Sequence, residues 1–502
     1  MTMKKLYFIV EFLILYNLCI AQEYKRNANW VFGQNPVVNL NFNSTLTMNA
    51  LPNINSGIES SSSAISDTNG NLLLFSNGYI AYNYLGDAVD SGEYINCPYG
   101  KVLCNYYGGA SLFDQTSVIL PKKGNTYYVF STGMSDSVAN NYLNHTYTEF
   151  DVLNYSLVDM DSNAGKGKVV EKNVVLADKQ HYVDCALHAV KHSNGKDWWL
   201  VKADAKNNRY QVYLIREDTI LGPYYQNVPI NKVGGFRPWQ SELFFSKDGT
   251  KMASTMYGNI DTINGSPFYD FNRVDVFDFD RCYGNLTYKQ QYRVPYDTSS
   301  YPNYNIKEGI CFSPNGKLLY MSNTYTVYQI DLEDTNIYNA TFIHGPDTSI
   351  AGFGWYASMG VAPNGKLYIG STIGSYSLSY IDSPNVKGLG CGFMPRGLTQ
   401  SYTGLKSPPN MPNYGLGADT SVVCWPLQNE NVKEKEKDWF VYPNPTYQNI
   451  YIKNASGKKK TLYNLSGQII SLTTKDEIDV SKYAKGLYFI QIENAVKKII
   501  LE

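Results

Sequence analysis

VAPNGKLYIGSTIGSYSLSYIDSPNVKGLGCGF, residues 361–393, places Asn-Gly between two short apolar runs, continues into a Tyr- and Ser-rich alternating segment and ends on a loop bearing Gly and Cys. Asn-Gly or Asp-Gly between strand-like runs marks a β-hairpin, and the expected geometry is a type I′ turn with positive φ at both central residues. The pattern recurs. Aligned on the turn glycine, the chain shows six copies: AISDTNGNLLLFS from Ala64, VILPKKGNTYYVF from Val118, AVKHSNGKDWWLV from Ala189, LFFSKDGTKMAST from Leu243, ICFSPNGKLLYMS from Ile310 and MGVAPNGKLYIGS from Met359. Their glycines, Gly70, Gly124, Gly195, Gly249, Gly316 and Gly365, lie 49 to 71 residues apart.

Several copies are followed by a further alternating strand, as in YQVYLIRE from Tyr210, RVDVFDFDR from Arg273, TVYQIDLED from Thr326 and YSLSYIDSP from Tyr376. Three or four antiparallel strands per period of roughly 50 residues describe the blade of a β-propeller. A lone blade cannot bury both faces, so blades stack around an axis. About 400 residues divided by that period give roughly seven blades. Six hairpins are visible, and the strands of NWVFGQNPVVNLNFN near the N-terminus are candidates to complete the seventh. A β-sandwich array is the architectural rival.

If each hairpin's first strand is innermost, alternation brings a small polar column to the central channel. It comprises Ser63, Ser117, His188, Glu242 and Ser358, with Gln115, Gln240 and Glu308 nearby. This is the candidate ligand site. The competing reading is that a narrow wet channel simply tolerates small polar residues.

The chain opens MTMKKLYFIVEFLILYNLCIAQ, with a basic start, an apolar stretch and small residues before Gln22, so residues 1–21 read as a signal peptide cleaved after Ala21. No other stretch is long and apolar enough for a membrane span, and none is expected in the mature chain. A formal net charge of −1 over 502 residues excludes the basic surplus of a nucleic-acid binder. Abundant Tyr (44) and Gly (40) favour strands and turns over helices. Cleavage leaves seven cysteines, and Cys97 with Cys104 in CPYGKVLC is the best local disulfide candidate.

After the repeats, LQNENVKEKEKDW reads as a polar linker, and beyond it short alternating strands suit a small β-sandwich. The expected layout is a propeller over residues 22–425, a linker over 426–438 and the sandwich over 439–502, all β throughout. The last segment carries YPNP (Tyr442, Pro443, Asn444, Pro445), then IYI, LYNLSGQII with Gly467, AKGLYFIQI with Gly486 and Tyr488, and a terminal KKIILE. In order and position these resemble the type A C-terminal sorting domain of the type IX secretion system of Bacteroidota. The resemblance implies recognition by outer-membrane secretion machinery after passage through the periplasm, and a secreted or cell-surface destination. The repeat region resembles, in architecture only, a large group of propeller-bearing proteins of the same bacteria with no agreed activity.

The chain lacks H-E-x-x-H, G-x-S-x-G and phosphate-loop motifs. His181, His188 and His192 cluster in KQHYVDCALHAVKH, but His192 occupies the position held by Asp67, Ser246 and Ser313 in other copies, which points to turn bonding. DLEDTN and DFDRC hold paired acids that offer calcium as the candidate cofactor, or simply solubilise turns. No catalytic or metal residue is assigned. The sequence favours a non-catalytic propeller that binds protein or glycan, with an extracellular hydrolase or lyase using a channel metal as the alternative.

Overall fold

The computed structural model describes residues 23–502 apart from 24, 35, 55, 59, 107–108, 112, 145–149, 181, 183–185, 205–206, 229–241, 257–260, 264–265, 269–270, 296–308, 323–325, 346–355, 372–376, 400–406, 423, 425–438 and 493–494. The signal-peptide segment 1–21, the linker 426–438, His181, Cys185, Gln240 and Glu308 lie outside the described residues. The chain divides between Cys424 and Trp425 into two compact units.

Among the described residues of the larger unit, seven blade sheets follow one another along the chain, beside a two-stranded hairpin of Asp261–Ile263 and Ser266–Phe268. The first has three strands, Asn29–Phe32, Val37–Asn41 and Thr47–Leu51, drawn in part from NWVFGQNPVVNLNFN. The next two, starting at Ser63–Ser66 and Ser117–Pro121, each have four strands and join at their outer edges through a parallel pairing of Asp90 with Lys168. Four further four-stranded sheets start at Leu187–Lys191, Leu243–Phe245, Gly309–Phe312 and Tyr356–Val361. We number these sheets as blades 1 to 7.

Blade order follows from packing. The first strands of consecutive blades contact one another from blade 1 to blade 7, so they are the inner ones. Burial agrees: the first strands of blades 2, 3, 4 and 6 are buried or nearly so along their length, whereas last strands such as Ala88–Glu93 and Ala340–His344 are largely exposed. The ring closes where Trp30 and Phe42 of blade 1 each sit 5.8 Å, centroid to centroid, from Tyr368 of blade 7. One apolar cluster unites Trp30, Phe32 and Leu40 with Ala64 and Phe75 of blade 2 and Ala362 and Leu378 of blade 7. Further clusters fill the seams between blades 4 and 5, 5 and 6, and 6 and 7. The architecture is a seven-bladed β-propeller.

The six repeat glycines all turn the first hairpin of a blade, with φ between +64° and +89°. The turn is not type I′. None of the residues preceding these glycines has positive φ, and in five copies the glycine N–H donates to the carbonyl three residues back, as Gly316 does to Ser313 and Gly249 to Ser246. The residue at that earlier position closes the loop with its own side chain: Ser313 Oγ accepts Leu318 N–H at 3.0 Å, and Asp67 Oδ1 accepts Asn71 N–H at 2.9 Å. Asn or Asp before the glycine therefore serves by side-chain hydrogen bonding in an ordinary right-handed turn, and only glycine takes the left-handed position.

The smaller unit is a β-sandwich of a three-stranded sheet (Phe440–Tyr442, Asn449–Lys453, Glu477–Asp479) and a four-stranded one (Lys460–Asn464, Ile469–Thr473, Gly486–Ile492, Ala495–Leu501). Their inner faces share Trp439, Ile450, Ile452 and Ile478 with Leu462, Ile490 and Ile499.

Gly195 and Gly124 separate two costs of side-chain addition. Both have positive φ, but a Cβ at Gly195 would lie 2.6 Å from the backbone nitrogen of Ala418, whereas Gly124 has nothing within 4 Å. Gly124→Ala is expected to cost about 1–2 kcal/mol from the left-handed backbone alone, and Gly195→Ala clearly more. Denaturation midpoints of the two variants check this, and equal losses would refute a tight contact between the turn and Ala418.

Candidate functional site

Inner strands have one edge with no neighbouring strand, so their carbonyls and N–H groups face the axis. In a buried setting these groups need partners. The segment 407–419, SPPNMPNYGLGAD, supplies many of them. Asn410 N–H donates to Ser62 O at 2.7 Å, and its side-chain amide donates to Ser117 O at 2.9 Å and Leu187 O at 2.8 Å, reaching three blades from one residue. Tyr414, fully buried, places its hydroxyl 2.7 Å from Ile119 O and 3.3 Å from Ala64 O, and its own carbonyl accepts Lys191 Nζ at 2.7 Å. Asn27 grips the strap from blade 1, donating to Pro412 O and accepting Tyr414 N–H. Beyond it, Arg281 of blade 5 donates to Gly417 O at 2.7 Å and to Lys191 O at 2.9 Å. The segment is a strap along the inner edges of the ring.

The strap decides what the predicted channel residues can do. Ser63 and Ser117 are fully buried and their hydroxyls lie 3.0 Å apart. Gln115 clasps blade 5, its amide donating to Leu243 O at 2.9 Å and accepting Leu243 N–H at 3.0 Å. Glu242 Oε2 accepts Ile310 N–H of blade 6 at 3.0 Å. Gln115, Glu242 and Ser358 do converge, with Ser62, Asp114 and the strap residues Pro408 to Asn410, but on a void of only about 10 Å³. The expected polar column is therefore an inter-blade hydrogen-bonding layer and not an open ligand site.

His188 lies apart from that void. Its Nδ1 accepts Ala189 N–H at 2.9 Å, its ring packs on Phe244 and Phe245 at 4.9 and 5.8 Å, and its Nε2 is buried with no hydrogen-bond partner. Burial pushes its pKa down to about 4, so the ring is neutral at physiological pH. His192 takes the turn role expected from the repeat: Nδ1 accepts Asn194 N–H and Nε2 bonds Cys282 O.

Sequence reasoning did not find the cavity at the hairpin-turn end of the axis. It measures about 280 Å³ and is lined by Phe244, Phe245, Phe312, Pro314, Val361 and Pro363 on one side, with His188 and the strap residues Met411 and Pro412. The signal was partly present, since the residue four before the turn glycine is apolar in four copies (Leu120, Phe245, Phe312, Val361), but nothing in the repeat says which inter-blade gaps stay open.

Cys97 and Cys104 form a disulfide, and so do Cys282 and Cys424, which tether the strap's C-terminal end to the turn that carries Arg281. The second pair, 142 residues apart, has no local signature. Cys311 and Cys391 are buried and unbridged, and burial pushes both thiols up. The acids weighed for calcium bond their own turns: Asp280 Oδ1 accepts Cys282 N–H at 2.7 Å, and Asp334 Oδ1 accepts Asn336 N–H at 2.9 Å.

In the sandwich, Asn444 anchors the YPNP segment to the last strand, donating to Lys498 O and accepting Ile500 N–H, both at 2.8 Å. Gly467 closes a turn onto Asn464 O, and the Tyr488 hydroxyl donates to Ala484 O. Tyr447, Leu465, Ile469 and Leu472 stand exposed on this unit.

Residues 440–502 match the family described as the secretion system C-terminal sorting domain. With the propeller, this makes the chain a type IX secretion cargo whose exported body is a β-propeller, destined for secretion or the cell surface. None of the curated proteins compared with the chain matches it. Among solved structures it is similar to a protein described as a 6-phosphogluconolactonase from Bacteroides uniformis, at 14% identity and a TM-score of 0.41 over 75% of this chain and 98% of that one. A second so described, from Bacteroides fragilis, gives 14% identity and 0.40 over 77% and 97%. The WD40 propeller domain of Doa1 gives 12% and 0.34 over 70% and 88%. These likenesses are too distant to speak to activity. Among the described residues, no helix is long and apolar enough to cross a membrane.

His188 has a pH signature. Its folded pKa of about 4 lies below the reference 6.5, so between these values the unfolded state holds more protons and stability falls as pH drops. The full effect is on the order of 3 kcal/mol. His188→Asn, whose amide oxygen can replace Nδ1, is expected to lose that part of the slope. Melting curves from pH 7 to 4 on both proteins check it, and parallel profiles would show that His188 titrates normally.

Proposed function

We propose that the exported propeller is a non-catalytic binding module and that its ligand seat is the cavity at the hairpin-turn end of the axis. The observation that carries this reading is the cavity itself: about 280 Å³, with Phe, Pro, Val and Met walls and the polar residues Asn27, His188, Ser246, Lys247, Ser313 and Asn413 among them. Ligand pockets span roughly 300–1,000 Å³, so this one has room for one compact apolar group. That suits an anchoring side chain from a protein partner, buried among aromatic and proline walls as interface anchors commonly are. A sugar ring, with hydroxyls on every side, would find the Phe and Pro walls on one side without hydrogen-bonding groups. A protein partner is therefore favoured over a glycan.

The alternative, a hydrolase or lyase, would draw on an acid or base at the cavity, where His188 and Lys247 stand in the lining; the His188 imidazole has its free nitrogen sealed in the wall and is neutral at physiological pH.

Two experiments bear on this reading. Binding of the mature chain to a panel of surface proteins and glycans is expected to yield a protein partner, and Val361→Trp, which fills the cavity from its rim, is expected to weaken it by tenfold or more. A partner held equally well by Val361→Trp would move the site elsewhere. Removing residues 439–502 is expected to leave a folded propeller in the periplasm, read by cell fractionation, and unimpaired export would refute the role of the tail.

A further inference from the structure

An antiparallel sheet with one face in water commonly alternates apolar residues inward and polar ones outward. The four-stranded sheet of the sorting unit departs from that pattern. Its register sets Leu472 in one row with Thr461, Gln491 and Val496, and Ile469 in the next with Tyr463, Phe489 and Lys498. A further pairing places Leu487 against Ile500. Leu462, Ile490 and Ile499, which alternate with these positions, fill the core, so the rows belong to the outer face. Ile469, Leu472 and Val496 are more than half exposed, and Leu487 and Phe489 are partly so. At the Leu487 end of the face lies an open cleft of about 480 Å³, lined by Leu465, Lys485 and Leu487 among others. The outer face of the three-stranded sheet is more mixed, with Phe440 paired with Lys453 and Tyr451 with Glu477.

We propose that this outer face, with its cleft, is the surface on which the secretion machinery takes hold of the tail, and that the partner offers a protein wall apolar at its centre and acidic at its rim. The inference rests on the tail's role as the export signal. The motif residues themselves are spent inside the unit: Asn444 on the last strand, Gly467 in a turn, and the Tyr488 hydroxyl on Ala484 O. They set the fold, and recognition falls to what the fold displays. Contiguous exposed apolar residues on a soluble unit mark an interaction site. Charge indicates what borders the partner's wall. Residues 439–502 hold nine Lys and no Arg against five Asp and Glu, a formal charge of +4, while the whole chain carries −1. Lys498 stands on the face and Lys485 in its cleft. Apolar contact at the centre supplies affinity, and charge complementarity at the rim speeds encounter and rejects wrong partners.

The test uses the full chain in its own cells. Leu472→Glu combined with Val496→Glu changes two exposed side chains and leaves the core intact, so the purified variant is expected to melt with wild type. Its amount at the surface and in the medium is expected to fall by about tenfold or more, with folded chain collecting in the periplasm. Where the two acids unfold the tail, Leu472→Ser with Val496→Thr is expected to give the same direction of loss in a folded chain. Lys485→Glu with Lys498→Glu is expected to slow export, and Tyr451→Glu, on the other sheet, to leave it unchanged. Wild-type export of the folded Leu472 and Val496 variants would overturn the assignment of this face. Loss of export on deleting residues 439–502 would at the same time keep the tail's role, so the two failures are distinct. Equal loss in Tyr451→Glu would also overturn it. So would a wild-type dimer, seen by light scattering, that the Leu472 and Val496 variants dissolve, since the face would then belong to a second copy.

Discussion

The structure depends on how the inner edges of seven blades are satisfied. Each blade pairs its strands outward from the axis, which leaves the innermost strand with a row of backbone groups facing the centre. In an open channel, water would meet them. Here a strap from the C-terminal end of the propeller meets those of blades 2, 3 and 4, and its composition reflects the task. Pro408, Pro409 and Pro412 bring no N–H of their own into a buried place, while Asn410 and Tyr414 bring side chains that serve carbonyls of blades 2, 3 and 4. Arg281 and the Cys282–Cys424 disulfide then hold the strap's far end.

This arrangement explains why a column of small polar residues is a poor guide to function in this ring. Ser63, Ser117, Gln115 and Glu242 look like a ligand-facing set when read along strands, because alternation fixes which side a residue takes but not what stands opposite it. Opposite them stand the neighbouring blade and the strap. Gln115 closes on Leu243 and Glu242 on Ile310, so each bridges a seam between blades. The burial that keeps His188 neutral belongs to the same close packing, its ring lying on Phe244 and Phe245.

The ring was legible in the sequence because its signals are local. A glycine at a left-handed turn position, an apolar run on either side and a third alternating strand repeat often enough to be aligned, and the blade lacking that hairpin glycine was recoverable from NWVFGQNPVVNLNFN. The turn type was not legible, since Asn-Gly suits a type I′ turn and a right-handed turn ending in left-handed glycine equally well, and the choice falls to side chains such as Ser313 and Asp67 that close the longer loop. The sorting tail was legible as a linear motif at the chain's end. The strap was not, because its specificity rests on a few side chains reaching carbonyls hundreds of residues away, such as Asn410 on Ser117 and Leu187. Such contacts leave no periodicity to read.

The two ends of the axis differ because the strap changes character over three residues. Pro408 to Asn410 meet acids and hydroxyls, and the space left between them is only about 10 Å³. Met411 and Pro412 meet Phe244, Phe312 and Val361, and the space left there is apolar and far larger. Phe244 lines both, so a single side chain separates the acceptor-lined void from the apolar cavity. Whatever fixes Asn410 at one end therefore also sets the position of Met411 at the other. Stiffening a binding wall in this way limits the conformational freedom lost when a partner's side chain enters. On this argument, the strap lets a ring with a filled axis present a preformed seat at its turn face.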